Sequence, residues 1–169
     1  MKKTLLVVAI LAILATGCKK NEGNNPAKKT ADRSEYVGKY SYTITGTAKL
    51  NLTLIGENDF PISMDGTMTV SEDPEDPQRV VIVSSYFETS GVVTSDGLEI
   101  EPIMSEAAGE DDFGEYSMSY TILSGVATLN DGVLTWESDI EVEMEMTIAQ
   151  QEVNGGGKGK VTCRAVKNK

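Results

Sequence analysis

The sequence predicts an all-β domain, most simply an antiparallel up-and-down β-barrel of about eight strands. Apolar and polar residues alternate with period two through most of the chain after Tyr36, which is the pattern of strands with one buried and one solvated face. No segment shows a convincing helical period. Asp-Gly pairs at 96–97 and 131–132 are typical of tight hairpins, so strands adjacent in sequence are expected to pair.

The clearest alternation runs through 133–149, where Leu134, Trp136 and Ile140 alternate with polar and acidic residues. A strand of that length must curve, which favours a barrel wall or a strongly bent sheet. A closed barrel would leave no unpaired edge, and a sandwich of two sheets is the alternative. The predicted strands are 37–46, 47–56, 62–71, 79–87, 89–95, 98–103, 115–129, 133–149 and 158–167.

The composition excludes several classes of protein. With 15 Lys plus Arg against 26 Asp plus Glu, the net charge of −11 does not suit binding to nucleic acid. A hydrophobic content of 40% is too high for a disordered acidic tail. The chain has no histidine, so the commonest general base and metal ligand is missing.

Residues 1–17 have the features of a secretory signal peptide. Lys2 and Lys3 precede an apolar run over 5–15. That run is about half of the roughly 20 residues that a helix needs to cross a bilayer. The following Leu14-Ala15-Thr16-Gly17-Cys18 resembles the lipobox of bacterial lipoproteins, although Ala15 stands where Leu is usual. This resemblance implies lipidation of Cys18. The alternatives are a secreted protein cut near Gly17 and an unprocessed anchor.

The polar stretch 18–33 is expected to be the tether between the lipid and one domain, 34–169. The tether carries a net positive charge, whereas the domain has 8 basic and 24 acidic residues. A membrane surface would therefore attract the tether and repel the domain. Lys19 stands where an Asp would direct retention in the inner membrane of enterobacteria, so outer-membrane sorting is implied. The residues after Cys18 lack the acidic patch of some surface-exposed lipoproteins, which favours the periplasmic face.

The layout of the whole chain resembles small Bacteroidetes lipoproteins with a calycin-like, lipocalin-like domain. The matching features are the lipobox, the short tether, Tyr-Val-Gly-Lys-Tyr at 36–40, Gly-Thr-Met-Thr-Val at 66–70 and Gly-Lys-Val at 159–161. The resemblance implies an eight-stranded barrel-like fold and, by analogy, binding of a small apolar molecule. It brings no catalytic residues with it.

Methionine and aromatic residues on the apolar faces of the strands are candidates for lining a ligand cavity. Flexible thioethers and amphipathic rings suit an adaptable cavity, but the same residues also fill cores. The candidates are Tyr40, Tyr42, Met64, Met68, Met118, Tyr120, Trp136, Met144 and Met146.

The charged and glycine-rich segments have ordinary structural interpretations. Glu141, Glu143 and Glu145 share one face of a strand and are expected to pair with Lys158, Lys160 and Arg164 on the next strand. The acidic segments 72–77 and 106–112 lack EF-hand spacing, so no metal is expected. The segment 104–114 is predicted to be the longest loop and a flap over the barrel mouth. Residues 155–160 lack the pattern of a phosphate loop and are predicted to form a hairpin turn.

The chemistry of the sequence favours a binding protein over an enzyme. It offers no histidine to activate a serine and no nucleophile elbow, and Cys163 is expected to be buried. A hydrolase with paired carboxylates is a minor alternative. The leading hypothesis is a monomeric, lipid-anchored envelope protein that binds a small apolar or amphipathic ligand inside the barrel without a cofactor. The alternative is an acidic module that binds a protein partner in the envelope.

Overall fold

The computed structural model describes residues 32–111, 114–148 and 150–169. These residues form ten strands and one short 3-10 helix, Arg33–Glu35, with no α-helix among them. All the strands are antiparallel and belong to one sheet, which confirms the predicted all-β class. The strands are β1 (Gly38–Leu52), β2 (Gly56–Glu72), β3 (Arg79–Ser84), β4 (Glu88–Thr94), β5 (Gly97–Ile100), β6 (Ile103–Asp111), β7 (Gly114–Ile122), β8 (Gly125–Asn130), β9 (Val133–Ile148) and β10 (Gln151–Lys167).

Eight of the strands form a closed, barrel-like ring in the order β10-β1-β2-β3-β4-β5-β8-β9, completed by the pairing of β9 with β10. On the side that faces away from β10, the long strand β9 pairs with two different strands. Its first residues, Val133–Thr135, pair with β8, whereas Ile140–Met146 pair with β7. The β6–β7 hairpin is therefore attached to the ring through the second half of β9 and extends the wall in that direction.

The ring is complete at one end of the molecule only. β2 pairs with β1 over Gly56–Val70 but with β3 over Met68–Glu72 alone. Within the described ranges, the segment 56–67 of β2 is thus paired on one side, and β6 is the last strand of the sheet order. We call this part of the wall the open half. It consists of β6, β7, the second half of β9 and the adjoining parts of β10, β1 and β2. The opposite end is the closed half.

Glycines allow β10 and β1 to approach each other very closely in the open half. Gly155, Gly157 and Gly159 occupy alternate, inward positions of β10 opposite Leu52, Leu50 and Ala48. A Cβ atom on Gly157 would stand 2.9 Å from the Leu50 Cα, and one on Gly159 2.5 Å from the Ala48 Cα. Real Cβ atoms do not come so near to a backbone, so the sheet can adopt this geometry only with glycine at these positions.

The predicted hairpin turn at 155–160 is therefore wrong, because these residues lie within β10 and pair with both neighbours. The chain reverses instead between Ile148 and Gln151, where Gln150 has a φ of +66°. The two Asp-Gly predictions are confirmed. Both mark turns, after β4 and β8, and Asp131 and Gly132 have the positive φ values, +49° and +77°, that a tight hairpin turn needs.

Three strand boundaries also differ from the sequence-based expectation. The predicted strands 37–46 and 47–56 form one strand, β1, and the predicted strand 115–129 is divided into β7 and β8. The predicted flap at 104–114 is wrong, since Ile103–Asp111 is strand β6. The inward residues of β6 are mostly small, including Ser105, Ala107 and Gly109, so its period-two pattern is weak in the sequence.

The interior of the closed half is filled with side chains. Tyr40, Leu134, Ile140 and Ile122 are fully buried there and in the adjoining wall. Tyr36 covers the end of this core, and its carbonyl oxygen accepts a hydrogen bond of 2.7 Å from the Tyr40 hydroxyl. No helix in the described ranges is long and apolar enough to span a membrane. The predicted signal peptide, Cys18 and most of the tether lie outside the described residues.

Candidate ligand-binding face

The structure places all nine candidate lining residues on the inward face of the wall but separates them into two groups. Five are buried in the packed core, namely Tyr40, Tyr42, Met68, Trp136 and Met144. Four are only partly buried and pack against the edge of that core, namely Met64, Met118, Tyr120 and Met146. The second group lies in the open half, on β2, β7 and β9.

Two further apolar residues, Phe60 and Ile148, are partly buried on the same surface. We call the six side chains together the inner face: Phe60, Met64, Met118, Tyr120, Met146 and Ile148. Neither Phe60 nor Ile148 is among the nine candidates predicted from the sequence. Phe60 could have been found by extending the alternation of Ile62 and Met64 two residues towards the N-terminus, across Pro61.

Small residues surround the large side chains of the inner face. Met118 of β7 pairs with Met144 of β9, which pairs in turn with Gly155 of β10. On the other side of Met118 lies Ala107 of β6. Alanine and glycine contribute almost no side-chain volume at these neighbouring positions. Flexible thioethers can adapt to ligands of different shape.

The turn between β3 and β4 contacts both the packed core and β6. Ser84, at the end of β3, shares a hydrogen bond of 3.2 Å with the hydroxyl of Tyr42. The ring of Phe87 packs edge-on against Tyr42, with 5.5 Å between ring centroids. The carbonyl oxygen of Tyr86 accepts a hydrogen bond of 2.9 Å from the Ser105 hydroxyl on β6. The turn thus connects β1 with β6 across the side of the molecule where the wall is incomplete.

Burial raises the pKa of Tyr42 above its usual value, and the neighbouring Tyr120, Tyr86 and Asp65 act in the same direction. The hydrogen bond with Ser84 lowers this pKa and partly offsets the effect. The Tyr42 phenol is therefore neutral at physiological pH and serves as a hydrogen-bonding group at the boundary of the core. It offers no anionic base.

A cleft of about 570 Å³ lies at the outer end of the open half. Its apolar lining includes Tyr116, Met146 and Val153, and carboxylates stand around it. This volume is within the range of about 300 to 1,000 Å³ that is usual for small-molecule sites. The acidic members of its lining are Glu110, Glu115, Glu145 and Glu152. The lining of the cleft is therefore mixed, with four carboxylates and other polar groups beside a few apolar side chains.

The outer face of β9 and β10 carries one of the predicted cross-strand ion pairs, between Lys158 Nζ and Glu141 Oε1 at 2.5 Å. Lys160 Nζ lies 3.7 Å from Asp139 Oδ1, which is not a member of the predicted glutamate series. The residues of β10 opposite Glu143 and Glu145 are uncharged, so the predicted pairing of these two glutamates is wrong. The hydrogen bond to Glu141 raises the pKa of Lys158. Arg164 lies opposite Thr135 and Thr43, so it faces no member of the glutamate series directly. These ion pairs are exposed to solvent on the outer surface of the wall.

The acidic loop between β2 and β3 is bound by arginine. Arg33 Nη1 donates hydrogen bonds to the carbonyl oxygens of Asp73 and Asp76, at 3.0 and 2.8 Å, and Arg33 Nη2 pairs with Glu72 at 2.8 Å. In the described ranges, no group of three or more cysteine or acidic side chains is arranged to hold a metal ion. The prediction of a buried Cys163 is confirmed, and burial raises the pKa of its thiol to about 12.

Comparisons with known proteins assign no family to the chain. No protein-family model and no curated protein matches it. Among solved structures, the chain is similar to the crystal structure of the ywiB protein from Bacillus subtilis, with 9% identity. That similarity covers 82% of this chain and 100% of the other, with a TM-score of 0.23. A score this low supports no argument about fold or function.

Proposed function

We propose that this protein is a lipid-anchored protein of the bacterial cell envelope that binds a small apolar or amphipathic molecule on its inner face. One observation carries the proposal. Six large apolar side chains of the open half are only partly buried, whereas most inward side chains of the closed half, with Leu129 as an exception, are buried. An apolar surface that the protein leaves partly uncovered is typical of a binding site.

The chemistry of the surroundings restricts the class of ligand. The methionines Met64, Met118 and Met146 favour an apolar group of variable shape. The carboxylates around the adjoining cleft, among them Glu110 and Glu145, disfavour a negatively charged head group and favour a neutral or cationic one. A fatty acid in its ionised form is thus a poorer ligand than a neutral or cationic amphiphile.

The position of the N-terminus agrees with attachment through Cys18. The described chain enters the domain at Asp32, next to the 3-10 helix and Tyr36, which belong to the closed half. β1 then runs through 15 residues to Leu52 in the open half. With a lipid on Cys18, the tether would join the closed half, and the inner face would lie at the far end of β1 from the anchor. The proposed location is the periplasmic side of the outer membrane, which is favoured because the residues after Cys18 lack an acidic patch.

Binding can be tested with a neutral fluorescent probe, N-phenyl-1-naphthylamine, titrated into the purified full-length protein. The variant Met118→Lys introduces a charge on the inner face, whereas Met104→Lys introduces the same charge at an exposed methionine on the outward side of β6. We expect Met118→Lys to weaken binding at least about tenfold, since burying a charge without a partner is costly. Met104→Lys should change it less than about twofold.

Urea unfolding of both variants controls for loss of structure. Equal affinities of the two folded variants, or no binding of the probe to the unmodified protein, would contradict the proposed site.

A further inference from the structure

We propose that β6 is a docking strand to which an extended peptide segment with alternating basic and apolar residues adds as a further strand of the sheet. This partner is a polypeptide rather than a small molecule. Its site is the edge of the wall at β6, which is distinct from the inner face.

Among the residues that the structure describes, the backbone of β6 is paired with another strand on one side only. β6 pairs with β7 from Ile103 to Asp111 and is the last strand of the sheet order. Its beginning is covered, because Ser105 bonds to the β3–β4 turn, but Glu106, Ala108, Gly109 and Glu110 are exposed. In an edge strand, alternate residues direct their N–H and C=O groups away from the sheet, and such groups can pair with another chain.

The outward face beside this edge is acidic and has space for long side chains. Two adjacent rows of outward residues cross β6, β7 and β9. The first row consists of Glu106, Ser119 and Glu143, and the second consists of Ala108, Ser117 and Glu145. The small residues in the middle of these rows form the floor of a trough of about 430 Å³, with the carboxylates around it. Lysine or arginine side chains of an added strand could lie along this floor and reach the carboxylates.

The inward face beside the same edge has the opposite character. The inward residues of β6 include Ala107 and Gly109, and the next residues on that face are Met118 and Tyr116 of β7. Side chains of an added strand alternate between the two faces. The residues directed inward would therefore meet an apolar surface, and those directed outward would meet carboxylates. This geometry requires a partner in which basic and apolar residues alternate.

Charge also argues against a second copy of this chain as the occupant. The other free edge, on β2, carries Glu57, Asp59 and Asp65 on its outward face, so two copies would bring acidic edges together. The domain 34–169 as a whole has 24 acidic against 8 basic residues. Basic partners are favoured by complementarity at the edge and by the field of the domain.

The test uses an eight-residue synthetic peptide of alternating Lys and Val, labelled with fluorescein and titrated into the full-length protein. We expect the double variant Glu106→Lys with Glu110→Lys to weaken binding at least about tenfold. The matched control Glu88→Lys with Glu99→Lys changes exposed glutamates on β4 and β5 and should alter affinity less than about twofold. Urea unfolding confirms that each variant is folded.

Two N-methylated forms of the peptide separate strand addition from attraction by charge alone. One form is methylated at every Lys and the other at every Val, so each blocks the N–H groups along one side of the extended peptide. Strand addition predicts that one form loses binding and the other retains it. Equal binding of both forms would overturn the proposal.

Sedimentation velocity tests for self-association through the same edge. We expect a monomer at micromolar concentration. A dimer that dissociates in the Glu106→Lys, Glu110→Lys variant would show that the edge binds a second copy, and this result would also overturn the proposal.

Discussion

Gly159 of β10 lies directly opposite Ala48 of β1, so close that a Cβ atom on Gly159 would stand 2.5 Å from the Ala48 Cα. Gly157 and Gly155 repeat this arrangement at the next two inward positions. The three glycines allow the backbones of β10 and β1 to approach each other closely in the open half. The glycines are thus a requirement of the wall's shape.

Replacing Gly159 with alanine should destabilise the fold, because the added methyl group has no space between the two backbones. We expect Gly159→Ala to lower the free energy of unfolding by about 1 to 3 kcal/mol, measured by urea denaturation. Thr162→Ala, at an exposed position of the same strand, should change it by no more than about 0.5 kcal/mol. Equal stability of the two variants would show that the close approach is not needed.

The same glycines show why part of the fold could not be predicted from the sequence. Three consecutive glycines at 155–157 normally indicate a turn, since glycine tolerates positive φ. None of these three residues has a positive φ here. A Cβ atom on Gly155 or Gly157 would collide with the backbone of β1, and one on Gly156 would collide with the Val142 carbonyl oxygen of β9. The need for glycine at these positions arises from contacts between strands that are far apart in sequence. A period-two pattern contains no information about such contacts. The long alternation of β9, in contrast, was sufficient to predict its strand.

The buried thiol of Cys163 should make stability fall at high pH. Burial raises its pKa to about 12, from a usual value of 9.0. Between these two pH values the unfolded chain loses the thiol proton while the folded protein retains it, so the stabilisation present below pH 9 decreases as pH rises towards 12. Tyr36, Tyr40 and Tyr42, whose pKa values are also raised, act in the same direction.

Urea unfolding at several pH values between 9 and 12 measures this effect. The loss of stability over that interval should be smaller in Cys163→Ala, in which the tyrosines are unchanged. An identical pH dependence of the two proteins would argue against a protonated native thiol. Cys163 should also react with a thiol reagent only after unfolding, because it is fully buried.

Arg79 connects three segments of the closed half and should be more important for stability than the surface ion pairs. Its Nη2 atom donates to the Ser90 hydroxyl at 2.7 Å and pairs with Glu101 Oε1 at 2.5 Å. We expect Arg79→Ala to cost about 1 kcal/mol, a value reduced by partial solvent screening. The urea midpoint of Lys158→Ala should shift less, since that lysine is exposed. A larger shift for Lys158→Ala would contradict this ranking.

Replacing Cys18 tests the proposed anchor. If lipid on Cys18 holds the protein in the envelope, Cys18→Ser should move it from the membrane fraction to the soluble fraction, because the attraction of the short basic tether to the membrane is too weak to replace the acyl chains. The measurement is fractionation followed by mass spectrometry of the N-terminal peptide. A membrane-bound Cys18→Ser protein would contradict anchoring through this residue.

The sequence located the candidate face only in part, for a structural reason. Alternation placed Met68, Met144 and Met118 correctly on inward faces, but it could not show that Met118 is partly uncovered while the other two are buried. That difference arises because β3 pairs with β2 only from Met68 onwards, so the earlier part of β2 lacks this neighbour. It also arises because β9 pairs first with β8 and then with β7 along its length. Coverage of a strand depends on where other strands end, which residue patterns do not record.

Native mass spectrometry of the protein purified from its own host tests the central claim most directly. If the inner face binds an amphipathic molecule, the spectrum should contain a species heavier than the chain, and the extra mass should disappear on denaturation. The Met118→Lys variant should lack that species, whereas Met104→Lys should retain it. A bare chain mass that does not change after incubation with envelope lipids would contradict the claim that the open half is a ligand site.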